Sequence, residues 1–165
     1  MILAFDTYYF DNKAKTACVA FSNWEEATPI HVFEETLKDI APYVPGEFYK
    51  RELPCILSLL NQIDVPISTI IIDGFVFLDD NNKLGLGGHL YNAIKNTIPI
   101  IGVAKTNFAT IEKNKAAILR GKSTKPLFIT SIGIDKEMAA EHIGSMHGDF
   151  RLPSILKLVD FYSRE

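Results

Sequence analysis

At 165 residues, 47% of them hydrophobic and 22% charged, the chain is sized for a single globular domain, residues 1–165, with a sizeable core. Its formal net charge of −3 excludes a strong overall attraction to polyanions and leaves only a local basic face to bind them. No apolar run approaches the ~18 residues of a membrane span. The first run stops at Asp6 with no basic stretch before it, and Cys18 and Cys55 lack metal-ligand spacing. The expectation is a cytoplasmic monomer with reduced thiols and no membrane partner.

Residues 1–9 read as a strand buried on both faces. The turn at Asp11-Asn12 leads to a second strand over 16–23, and Thr28-Pro29 leads to a third over 31–37. The short links between them suggest an antiparallel meander. Tyr43-Val44-Pro45-Gly46 is a rigid turn, since proline fixes one φ and glycine frees the next. Residues 48–63 carry helical spacing through Leu53, Ile56, Leu57 and Leu60, with Pro54 placed near the first turn. Residues 69–73 form a fourth strand, continuing toward Phe75-Val76-Phe77, and Asp79-Asp80-Asn81-Asn82 is a polar hairpin turn. A helix over 86–96, a strand over 100–104, a strand over 126–134 and helices over 136–146 and 154–163 complete the chain. Lys113, Lys115, Arg120, Lys122 and Lys125 form one basic stretch, read either as a solvated helix-and-loop face or as a surface for a nucleic-acid backbone. The fold class is α/β: a mixed sheet flanked by helices, with an antiparallel three-strand meander followed by parallel strands.

Three acids stand out. Asp6 ends the run Met1-Ile2-Leu3-Ala4-Phe5, Asp73 ends Ile70-Ile71-Ile72, and Glu52 opens the first helix. If the two strands are neighbours, two carboxylates share one sheet edge, and the helix can bring the third. Such a cluster repels itself unless a hard divalent cation holds it, which points to Mg²⁺, with Mn²⁺ as an alternative, and to work on phosphate esters.

The order strand-Asp, meander, helix-Glu, strand-Asp is the plan of ribonuclease-H-like nucleases. Five strings in order then resemble one family of them, the endonuclease V family. They are Pro42-Tyr43-Val44-Pro45-Gly46 with Arg51-Glu52, then Asp73-Gly74, then Leu84-Gly85-Leu86-Gly87-Gly88-His89-Leu90, then Ile101-Gly102-Val103-Ala104-Lys105, then Phe150-Arg151-Leu152-Pro153 with Lys157 and Asp160. The resemblance implies hydrolysis of a phosphodiester on the 3′ side of deoxyinosine in DNA or inosine in RNA, as in deaminated-base repair. It implies that Asp6, Asp73 and Glu52 bind the metal and that Lys105 lies near the scissile phosphate. Pro42, Tyr43, Val44 and Pro45 would be the wedge entering the nucleic acid. Gly46, Phe48, Gly74, Leu86, Gly87 and Gly88 would line a pocket for the flipped base.

Two departures qualify the resemblance. Asp79 and Asp80 stand where the family usually carries basic residues, and the family's histidine after a late Ser-x-Gly is missing after Ser131-Ile132-Gly133, which leaves Asp135 as a candidate substitute. The rival functions are a ribonuclease-H-like metal nuclease of other specificity and a non-catalytic module that binds inosine or nucleic acid.

Overall fold

The computed structural model describes residues 1–165. In chain order the elements are β1 (Ile2–Phe10), β2 (Lys13–Phe21), β3 (His31–Lys38), α1 (Tyr49–Leu60), β4 (Thr69–Asp73), α2 (Leu86–Ala93), β5 (Ile100–Ala104), β6 (Ala116–Ile118), β7 (Leu127–Ile132), α3 (Lys136–Ser145) and α4 (Ser154–Arg164). The strands make one seven-stranded sheet in the order β3-β2-β1-β4-β5-β7-β6. β1 to β3 are the expected antiparallel meander, and β4 and β5 run parallel to β1. Beyond them the sheet turns antiparallel again, with β7 against β5 and the short β6 at the edge.

Alternation along the strands sorts their side chains into two cores. Leu3 and Phe5 of β1, Ile70 and Ile72 of β4 and Ile100 of β5 pack under α1 and α2. Ile2 and Ala4, Ile71, Ile101 and Val103 point the other way, toward α3 and α4. The central strands are thus covered on both faces, which is why they read as unbroken apolar runs.

Several local details differ from the sequence reading. β4 stops at Asp73 because Gly74 takes a φ of +134° and redirects the chain, and Phe77 makes only an isolated bridge to Leu84. Pro54 sits in the second turn of α1, not the first, so the Lys50 carbonyl lacks its helical N–H donor. The basic stretch holds β6 instead of a helix. Arg120 is buried, and its Nη atoms donate to the carbonyls of Met146, Gly148, Phe150 and Arg151. It ties the chain before α4 to the loop after β6 and is no part of a basic surface.

Candidate active site

Parallel strands that start in register end together. Phe5 of β1 pairs with Ile72 of β4, and Asp73 pairs with Val103 of β5. Asp6, Asp73 and Lys105 therefore leave the sheet at one edge. Alternation sends all three to the α4 side, because each lies two residues beyond a side chain of that core, namely Ala4, Ile71 and Val103. There they line one cleft with Asp160 of α4, floored by Leu152, Leu156 and Val159. Glu52 approaches from the opposite face, on the first turn of α1, and is buried.

The electrostatics show how tightly these acids are assembled. Burial pushes the Asp6 carboxyl up to about 7; the Ser163 hydrogen bond pulls it down, and the charges of Asp73 and Asp160 push it up again. Burial first, then the charges of Asp73 and Asp6, raise Glu52 well above the usual carboxylate range. Asp73, open to solvent on one side at its strand end, is also raised by burial in the cleft, and Lys105 works against that rise. Mutual repulsion in a partly dry site is the condition a divalent cation relieves.

The donor set fits such an ion. In chemistry it is all carboxylate oxygen, the choice of a hard cation, but no three acidic, histidine or cysteine side chains stand close enough together to form a metal site by themselves. Mg²⁺ suits this arrangement, since it takes one or two carboxylates and keeps several waters for exchange with phosphate oxygens. Asp6 and Asp73 would hold it at the cleft, with Asp160 and Glu52 close enough to feel the same charges. The sequence offered Asp160 only within a matching string; what singles it out is its position on α4 facing Asp6, which no spacing along the chain reveals.

A second cavity of about 290 Å³ adjoins the first across Asp73-Gly74 and is lined by Gly46, Phe48, Tyr49, Gly74, Phe75, Leu78, Gly85, Leu86 and Phe108. Four of the expected pocket residues, Gly46, Phe48, Gly74 and Leu86, come together here. Gly87 and Gly88 lie one layer behind: a Cβ on either would strike Val76 or Leu84 at 2.7 Å, so they serve the packing of α2. Phe75 and Phe108, whose rings are 5.9 Å apart, add an aromatic wall the sequence reading did not name. Val44 to Glu47 form a turn closed by a 3.0 Å hydrogen bond, with Pro45 second and Gly46 third at a φ of +81°, the type II pattern. Pro42, Tyr43, Val44 and Pro45 are all exposed, as a wedge requires. His89 stacks on Tyr49 with centroids 3.6 Å apart, and partial burial lowers its pKa, the environment of a packing residue.

The two departures resolve differently. Asp135 is exposed at the start of α3, past the end of β7 that pairs with Ile100. That is the opposite end of β5 from Lys105, so Asp135 replaces nothing at the cleft; the further acid there is Asp160. Asp80 is exposed but serves structure. Its Oδ1 accepts the backbone N–H groups of Glu112, Lys113 and Asn114 at 3.0, 2.8 and 3.1 Å. Asp79 Oδ1 accepts those of Asn81 and Lys83 within the hairpin turn.

The family model for endonuclease V matches residues 1–161. Among named relatives, endonuclease V of Streptomyces avermitilis is 29% identical over 143 residues, covering 74% of this chain and 61% of that protein. Endonuclease V of Rippkaea orientalis is 26% identical over 176 residues, covering 94% and 75%. The chain spans about three-fifths of the length of the two Streptomyces relatives, 61% and 60%. Among solved structures, Ciona intestinalis endonuclease V in complex with a DNA containing an inosine superposes with a TM-score of 0.82 at 20% identity, covering 99% of this chain and 84% of that one. The catalytic domain of human endonuclease V gives 0.79 at 22%, covering 99% and 80%. The ribonuclease-H-like architecture is therefore shared.

Proposed function

The chain belongs to the endonuclease V family, and from that membership and the cleft we propose that it is a metal-dependent endonuclease hydrolysing a phosphodiester on the 3′ side of inosine or deoxyinosine. The observation that carries this reading is the convergence of Asp6, Asp73, Asp160 and Lys105 on one cleft, beside a cavity with aromatic walls. A bound Mg²⁺ would supply Lewis-acid stabilisation of charge on the phosphate oxygens. The chain's own residues do the rest. Lys105, exposed at the mouth of the cleft, offsets charge that grows on the phosphate. Phe48, Phe75 and Phe108 offer flat apolar surface to an unstacked base, and the backbone at Gly46 and Gly74 approaches it without a side chain in the way. Tyr43 and Val44 fill the gap left in the strand.

The test is cleavage of labelled DNA and RNA oligonucleotides, single- and double-stranded, with one inosine or none, in Mg²⁺, Mn²⁺ or chelator, beside Asp73→Asn. Inosine-dependent, metal-dependent cutting lost in Asp73→Asn is the expected result, and the preferred strand identifies the substrate. Equal cutting of plain strands would instead make this a nuclease of other specificity. Inosine binding without cutting under every metal condition would make it a binding module.

A further inference from the structure

β1 does not end at Asp6. Its last residues run past β4, whose pairing stops at Phe5, and stay bonded only to β2. Alternation continues along this ribbon, so Tyr8 and Phe10 fall on the same face as Asp6. The antiparallel register sets Lys15 opposite Tyr8, Lys13 opposite Phe10, and Lys38 of β3 opposite Lys13. Directly opposed residues share a face, so aromatic and basic side chains interleave on one surface.

Tyr8 and Phe10 stack on each other, with centroids 6.0 Å and planes 19° apart, and each ring residue is 37% exposed. Arg164 lays its guanidinium over Tyr8, 4.8 Å from the centroid, while its Nε donates to Asp160 Oδ1 at 3.1 Å. One side chain thus joins the aromatic shelf to the carboxylate cleft. Along the strand, Asp6 and Tyr8 are separated by roughly 7 Å, about one nucleotide step.

We propose that Tyr8 and Phe10 are a stacking platform for an unpaired base of the single strand leaving the cleft, with Lys13 and Lys38 contacting its phosphates. This inference rests on the nucleic-acid reading of the cleft. Lys13 and Lys38 make no ion pair, whereas Lys15 is paired with Glu34 at 3.4 Å and Arg164 with Asp160. Asp11 and Asp39 border the same ribbon, so net local charge is small. Stacking, not charge, must carry the affinity, and aromatic stacking is tolerant of base identity.

The experiment uses the full chain in chelator and single-stranded oligonucleotides that carry one inosine, with 2-aminopurine walked outward on each side. The expected result is fluorescence quenching at one position a few nucleotides from inosine. It should vanish in Tyr8→Ala/Phe10→Ala, with affinity lower by roughly ten- to a hundred-fold, and persist in Tyr8→Phe/Phe10→Tyr. Lys13→Gln/Lys38→Gln should keep the quenching and reduce the salt dependence of binding by roughly one contact or more. Unchanged quenching and affinity in a folded double alanine variant would overturn the platform. So would wild-type protein that cuts inosine strands without quenching any flanking position. Wild-type protein that neither cuts nor binds inosine strands would overturn the nuclease reading and the platform together.

Discussion

The Ser163 hydroxyl lies 2.8 Å from Oδ2 of Asp6, donating a hydrogen bond that joins the last turn of α4 to the first strand. It favours the ionised carboxylate, as the nearby charge of Arg164 does, against burial, Asp73 and Asp160. Ser163→Ala removes that support, so the Asp6 pKa should climb above about 7. The expected outcome is a cleavage pH profile whose acid limb moves to higher pH, with Ser163→Thr close to wild type. An unmoved limb would show that Asp6 is not the group it reports.

Metal and proton compete for the same carboxylates. Asp6 has a folded pKa near 7 against an ordinary 3.8, and Glu52 and Asp73 shift in the same direction. Between these values the native state holds more protons than the unfolded chain, so without metal its stability should fall as pH rises from about 4 to about 7. Mg²⁺ binds the ionised form, and at a hundredfold excess over its dissociation constant it adds about 2.7 kcal/mol. Thermal melts should show a larger Mg²⁺-induced rise in Tm at about pH 7.5 than at about pH 5, and a diminished one in Asp73→Asn. Equal rises at both pH values would remove the cleft carboxylates as the metal site.

Arg120 separates a structural cation from a binding one. Its guanidinium donates to carbonyls on both sides of Gly148, and the residue is 5% exposed. Arg120→Gln should cost roughly 2–4 kcal/mol in a urea titration and leave the salt slope of nucleic-acid binding unchanged. A reduced slope with stability intact would return Arg120 to the basic surface.

The sheet, its helices and the places of Asp6 and Asp73 at strand ends and of Glu52 on the first helix were legible because they are local: apolar runs end in Asp6 and Asp73, and amphipathic spacing begins beside Glu52. What was illegible depends on contacts between distant segments. β6 is three residues long and exists only because β7 lies beside it. Asp160 joins the cleft through the packing of α4 on β1, and Phe108 joins the cavity through a loop whose course Asp80 fixes. Asp135 misled for the same reason: the Ser-x-Gly string lay close in sequence, but the antiparallel run of β7 carried it to the wrong end of the sheet.

Asp80 should behave as a positioning residue for that loop. Three backbone N–H groups converge on its Oδ1, and these bonds and that from the Thr110 hydroxyl to the Leu78 carbonyl brace the segment after Phe108. Asp80→Ala should raise KM for inosine strands several-fold with kcat less affected, and should open residues 107–114 to limited proteolysis. Asp80→Asn, which keeps an acceptor oxygen, should restore most of the wild-type behaviour. A fall in kcat alone, with the loop still protected, would place its role elsewhere.

Gly102 and Gly144 form a matched pair for testing how the cleft is built. Gly102 lies in β5 beneath the chain that crosses from Asp73 to Val76. A Cβ there would come within 2.5 Å of the Gly74 carbonyl oxygen and 2.6 Å of the Thr130 hydroxyl oxygen. That hydroxyl accepts the buried Val76 N–H at 2.8 Å, so neither neighbour can retreat freely. Gly102→Ala must therefore push Gly74 outward, and Asp73 with it. The expected cost is about 1–3 kcal/mol of stability, together with a loss of cleavage greater than destabilisation alone explains at a temperature where the variant is folded. Gly144, in α3 at ordinary helical φ, has open space where its Cβ would go. Gly144→Ala should stabilise by roughly 0.5–1 kcal/mol and leave cleavage untouched. If both substitutions proved neutral in urea and in cleavage, Gly102 would not be holding Gly74 and Asp73 in place.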